Sequence, residues 1–141
     1  MIPKHLEIAF GELGQVEVPG PGTNPRIALY LTGVGMAPSD EIPWCSAFVN
    51  AVIVRANHKG TNRANARSWL EWGVPTVPVL GAVCVLWRIN PENPSGHVGF
   101  YLDQDSYGVY LLGGNQSDKV CIRRYPLERV LGYRVPATMP A

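Results

Sequence analysis

Apolar residues recur at helical spacing through the first half of the chain and alternate with polar ones through the second. Behind Pro3, Leu6, Ile8, Ala9, Phe10 and Leu13 predict a short amphipathic helix that stops near Gly14. The Pro- and Gly-dense loop EVPGPGTN follows and ends at Asn24-Pro25, an N-cap with proline at the first helical position, which starts a second helix, RIALYL, ending by Gly33. The loop GVGMAPSDEIP then leads into a third helix. Pro43 disfavours helix at Ile42, and Phe48, Val49, Val52, Ile53 and Ala56 keep helical spacing, so this helix is expected to begin within a residue or two of Cys45. Asn57-His58-Lys59-Gly60 is a stop signal, and Ala64 to Gly73 predicts another short helix carrying Trp69 and Trp72.

From Gly73 the pattern changes. VPTVPVLG reads as a Pro-interrupted connection, followed by strands expected at 82–88, 97–102, 107–112, 119–125 and 131–135. INPENPSG and Asp103-Gln104-Asp105-Ser106 are turn chemistry, the latter a hairpin loop. Helices first and an antiparallel sheet afterwards is an α+β layout, with the helix that begins at Cys45 packed on the sheet.

The length, 141 residues, suits one domain, residues 1–141, with no room for a second module of similar size. With 46% apolar and 16% charged residues the chain is globular, and its net charge of +1 gives no global field for nucleic acid or an anionic membrane. Arg123, Arg124 and Arg129 form no run with interleaved aromatics, so nucleic-acid binding lacks support. No apolar run reaches transmembrane length, and Glu7 interrupts the N-terminal stretch where a signal peptide needs an apolar core, so neither membrane insertion nor Sec export is expected. Three cysteines, 45, 84 and 121, with no CxxC pair exclude a full disulfide framework and give no zinc-site spacing. Cys84 and Cys121 lie in strand-like runs and read as small buried apolar residues. DQDSYG opens like a calcium loop, but position twelve would be Gly114 rather than Glu, so a plain hairpin is the better reading.

Candidate chemistry centres on Cys45. A thiol at a helix start meets unpaired backbone N–H groups and the positive end of the helix dipole, which favour thiolate. The bland alternative is a buried small hydrophobe. Two later segments favour chemistry: Ser95-Gly96-His97-Val98-Gly99, a Gly-flanked histidine opening a strand, and Gly113-Gly114-Asn115-Gln116 at the end of the next. A neutral His97 imidazole can take the thiol proton and return it to a leaving amine. Asn115 is either a turn residue or the group whose side-chain oxygen fixes the His97 tautomer, with Gln116, Asp118 or Glu41 as substitutes in that role. Glu41, Trp44 and Gln116 are also candidate substrate contacts, Trp44 being the tryptophan expected to be exposed. His5 and His58 read as solvated surface.

PWCSAFVN, NARSWLEWG, GHVGFY and GGNQSDKV together resemble the CHAP-like (cysteine, histidine-dependent amidohydrolase/peptidase) cell-wall hydrolases, particularly the short single-domain group of phage and prophage genomes. The resemblance runs from about Pro19 to Tyr133. It implies a papain-like α+β fold with Cys45 as nucleophile, His97 as base and Asn115 as orienting residue, acting on amide bonds of peptidoglycan. Many such relatives carry a glutamate two residues before that Asn, where this chain has Gly113. No metal or organic cofactor is expected, and the protein is expected to act as a monomeric phage endolysin. It would accumulate in the host cytoplasm and reach the wall after membrane disruption. Two rivals stand beside it: a secreted antibacterial effector amidase on the same fold, and a catalytically silent wall-binding or virion structural protein.

Overall fold

The computed structural model describes residues 2–17, 24–36 and 44–137. Glu41, and most of the two loops expected around Pro19 and Pro38, lie outside them. Three helices come first: α1 (Lys4–Gly11), α2 (Pro25–Gly33) and α3 (Cys45–Arg55). Asn24 caps α2 as its residue type dictates, Oδ1 accepting from the backbone N–H of Arg26 at 2.8 Å and of Ile27 at 3.4 Å. The segment expected as a further helix is a tighter 3-10 helix, Ala66–Glu71, in which the Trp69 and Trp72 rings meet edge to face at 4.8 Å.

Six strands follow: β1 (Val74–Pro75), β2 (Val83–Trp87), β3 (Gly96–Gln104), β4 (Gly108–Gln116), β5 (Lys119–Pro126) and β6 (Val130–Val135). They form one antiparallel sheet in the order β1-β6-β2-β3-β4-β5. Helices followed by an antiparallel sheet is the expected α+β layout. The two-residue β1 lay within what reads as a Pro-interrupted connection. Pro75 lacks an N–H, which is tolerated because β1 is an edge strand.

α3 fills the space between the sheet and the other two helices. Phe48, Val49, Val52 and Ile53 are fully buried and share a core with Leu6, Ile27, Leu31, Val85, Val98, Phe100 and Leu112. Each such side chain contributes about 1.5–3 kcal/mol of burial. On the other face of the sheet, Cys84, Leu86, Tyr101, Val109, Leu111 and Tyr125 make a second cluster. Gly114 sets how closely α3 sits on β4, since a Cβ there would lie 2.7 Å from the Trp44 ring and 2.8 Å from Phe48 Cβ. His5, expected at the surface, is buried instead, with Nε2 at 2.7 Å from the Gly81 carbonyl oxygen. Among the described residues no helix is long and apolar enough to cross a membrane.

Candidate active site

Cys45 is the first residue of α3, where the sequence pattern places it, and it is buried at 6% exposure. The start of α3 is held by a polar network beneath it. Ser46 Oγ donates to the Arg63 carbonyl at 2.7 Å and accepts from Trp69 Nε1 at 2.9 Å. The Asn50 amide reaches Ser46 O and Thr61 Oγ1, both at 3.1 Å, and its oxygen accepts from Asn62 N. These bonds tie the first turns of α3 to the 61–63 loop and to Trp69, which anchors the end of the helix that carries Cys45.

The thiol meets the strand that carries His97. Backbone hydrogen bonding from Val98, the residue after His97, and from Ser46 favours its ionised form, as does the charge of Arg88. Burial outweighs these and pushes the Cys45 thiol up from its ordinary value. This corrects the expectation of a helix-start thiolate. A helix terminus supplies about 0.3–1 kcal/mol, whereas removing an anion from water costs several. His97 is equally buried, and desolvation lowers it to about 4, the Gln116 hydrogen bond opposing and the charges of Arg88, Arg129 and Arg123 adding to the fall. The resting pair at neutral pH is therefore thiol and neutral imidazole.

Which ring nitrogen of His97 is free follows from Gln116. The Gln116 Nε2 donates to Cys121 O at 2.7 Å and to Leu111 O at 3.2 Å, two acceptors that fix the orientation of the amide. Its Oε1 then faces His97 Nε2 at 2.9 Å, so Nε2 must carry the proton and Nδ1 keeps the lone pair. The Tyr125 hydroxyl is 3.2 Å from the same Nε2, with ring centroids 5.1 Å apart, and desolvation raises the Tyr125 phenol, leaving it protonated. Charge on Cys45 adds to the rise of the Tyr125 phenol.

Asn115 does not make the contact expected of it. The register Phe100–Leu112, Tyr101–Leu111, continued along both strands, would set Asn115 opposite His97. Instead the β4–β5 pairing shifts between Gly113 and Gln116, and Asn115 takes a left-handed conformation with φ 56°. The bulge turns Asn115 toward half-exposure and swings Gln116 inward to 1% exposure. Gly113 leaves the space that side chain needs, since a Cβ there would lie 2.6 Å from Gln116 Oε1. The Gln116 side chain thus occupies the volume a longer residue at 113 would take.

Trp44 is corrected as well. It is fully buried, stacked on Tyr30 at 6.0 Å with its indole Nε1 donating to Glu17 Oε1 at 2.7 Å, and it offers no exposed face to a substrate. Cys84 is buried as expected, its thiol pushed up to about 12 by desolvation, whereas Cys121 is only half-buried and donates to Gln116 O at 3.3 Å. Asp105 is a turn residue, accepting from the N–H of Tyr107 and Gly108 and pairing with Arg124 at 2.9 Å. No group of three or more His, Cys, Asp or Glu among the described residues could hold a metal ion.

The neutral, buried His97 has a measurable consequence for stability. Its folded value of about 4 lies below the ordinary 6.5, so the unfolded chain takes up the proton first as pH falls. Stability is fully present above about pH 6.5 and is lost progressively down to about pH 4, by on the order of 3 kcal/mol at most. Buried His5, also lowered chiefly by desolvation, acts in the same direction. Urea midpoints measured at pH 7 and pH 4.5 should differ less for His97→Gln than for the wild type; an unchanged difference would contradict this account.

No protein-family model matches the chain, and no curated protein does. Among solved structures, its fold is similar to a protein described as similar to lipoprotein, NLP/P60 family, from Staphylococcus aureus subsp. aureus Mu50. The TM-score is 0.52 at 16% sequence identity, over 94% of this chain. This chain spans 40% of the length of that one. Identity at that level speaks to fold alone, and the fold it supports is the papain-like α+β architecture.

Proposed function

We propose that the protein hydrolyses an amide bond of peptidoglycan through Cys45 and a covalent acyl-enzyme. The observation that carries this is the His97 ring held at Nε2 by an amide whose own donors are committed elsewhere, which leaves Nδ1 as the nitrogen able to accept a proton. In the reaction Cys45 Sγ attacks the scissile carbonyl as its proton moves to His97 Nδ1, and the backbone N–H of Cys45 supports the oxyanion. The C–N bond breaks as His97 returns that proton to the leaving amine. Water, deprotonated by His97, then opens the thioester and restores the thiol. Because the resting groups are both neutral, the ion pair forms only as substrate arrives, so activity is expected to need no pre-formed thiolate. The fold likeness to a protein described as similar to lipoprotein, NLP/P60 family, and the CHAP-like motifs support this reading. The finer role, an endolysin that gains the wall after membrane disruption, rests on the motifs.

The test is loss of turbidity of permeabilised cells. Wild-type protein should clear them and Cys45→Ala should not exceed the buffer control; equal clearing by the mutant rejects the enzymatic reading. One observation favours the silent alternative, the burial and raised value of the Cys45 thiol. A thiol-reactive probe separates the two. A catalytic Cys45 with His97 in place should be alkylated faster than Cys45 in a His97→Ala protein, whereas a merely buried thiol should react equally slowly in both.

A further inference from the structure

Three arginines of the molecule meet carboxylates. Arg26 and Arg55 pair with Glu12 at 2.7 and 3.7 Å, and Arg124 pairs with Asp105. Beside His97 two arginines lie against one aromatic ring instead. Arg129 lies with its guanidinium carbon 5.4 Å from the centroid of the Tyr125 ring and 5.9 Å from that of Trp87. Its Nε donates to the Trp87 carbonyl at 2.9 Å, which fixes the stem and leaves the two terminal nitrogens available. Arg123 lies 5.6 Å from the centroid of the same Tyr125 ring, held only by an exposed hydrogen bond to Ser117 Oγ at 3.1 Å. Arg88 follows Trp87, whose strand partner is Gly96, next to His97. None of the three forms an ion pair among the described residues, although Glu128 and Asp118 are near in sequence.

Arg88, Arg129 and Arg123 each disfavour the protonated form of the buried His97. On a chain of net charge +1 they concentrate a positive field at one point. Arg129 and Arg123 both lie against a single aromatic ring whose hydroxyl touches His97, so a carboxylate arriving there meets guanidinium groups that no side chain of the described residues neutralises. We infer that the substrate carries a carboxylate, which docks on Arg129 and Arg123 beside Tyr125 and His97. This rests on the peptidoglycan reading and narrows it: the bond cut belongs to a stem whose acidic groups are free, and amidation of those groups is what the site rejects.

The experiment uses the full chain as Cys45→Ala, which cannot turn over. It is titrated with a synthetic murein stem tetrapeptide and with the same peptide bearing carboxamides in place of every carboxylate. The free acid should bind on the order of tenfold tighter at low salt, with the difference shrinking as salt rises. Adding Arg129→Gln should remove the preference. Because Arg129 also anchors Trp87, the exposed Arg123→Gln serves as a second variant and should remove part of it. Equal binding of the two peptides, no binding of either, or a preference unchanged in both variants overturns the inference. Hydrolysis by wild-type protein is scored separately. Preference without cleavage of any murein would reject the hydrolase and leave the anion site standing; equal cleavage of acid and amide would reject the anion site alone.

Discussion

Replacing Gln116 by Leu is expected to lower kcat by about a hundredfold to ten-thousandfold, while Asn115→Ala stays within a few fold of wild type. Gln116 Oε1 is the acceptor that holds the proton on His97 Nε2, at 2.9 Å, and its own NH2 group is committed to Cys121 O and Leu111 O. Leucine fills similar volume and accepts nothing. The imidazole then divides between two tautomers, and the one protonated on Nδ1 cannot take the Cys45 proton. The Tyr125 hydroxyl at 3.2 Å can accept from Nε2 in part, which sets the lower end of the range. The loss should fall on kcat with KM little changed, because the tautomer governs proton transfer rather than binding. Nitrogen-15 NMR of the His97 ring offers a reading independent of turnover: one dominant tautomer in the wild type, a mixture in Gln116→Leu. A fully active Gln116→Leu protein beside an inactive Asn115→Ala protein would restore the role to Asn115.

That reversal shows what the amino-acid pattern could and could not carry. Cys45 and His97 were legible because each sits where one periodicity gives way to another, at the end of a Pro-broken loop and at the opening of an alternating strand. Regular alternation along β4 points to Asn115, and it is the bulge that exchanges it for Gln116. Within the shifted segment Asn115 holds φ 56°, and the two-residue turn just beyond it holds Ser117 and Asp118 at 53° and 62°, a left-handed region in which a serine has no local signature. Tyr125 was invisible for a different reason. It is the one deeply buried residue within Ile122-Arg123-Arg124-Tyr125-Pro126, so nothing nearby marks it as facing a histidine two strands back in the chain. The state of the thiol was also misjudged from local structure, since a helix start can be read from sequence and the depth of its burial cannot.

Trp44→Ala is expected to cost about 3–5 kcal/mol of stability, a fall in Tm on the order of 10 °C for a chain of this size. Adjacency to Cys45 and to a polar loop suggests an exposed platform for sugar or peptide. Gly114 decides otherwise: lacking a Cβ, it lets α3 settle on β4 until the Trp44 ring is sealed between the sheet and Tyr30. Truncation would open a cavity beside Cys45 and strip Glu17 of the indole donor at 2.7 Å. The two roles separate cleanly by experiment. Loss of a substrate platform would raise KM with Tm unchanged, whereas loss of a core residue lowers Tm and leaves KM near wild type at temperatures where the variant stays folded. Gly114→Ala probes the same contact from the opposite side, costing about 1–3 kcal/mol by overpacking. Placed together with Trp44→Phe, which removes the ring atoms the new methyl group would meet, it should cost less than the two single changes summed. Additive costs would mean that α3 is seated by contacts other than this one, and that Cys45 does not depend on Trp44 for its position.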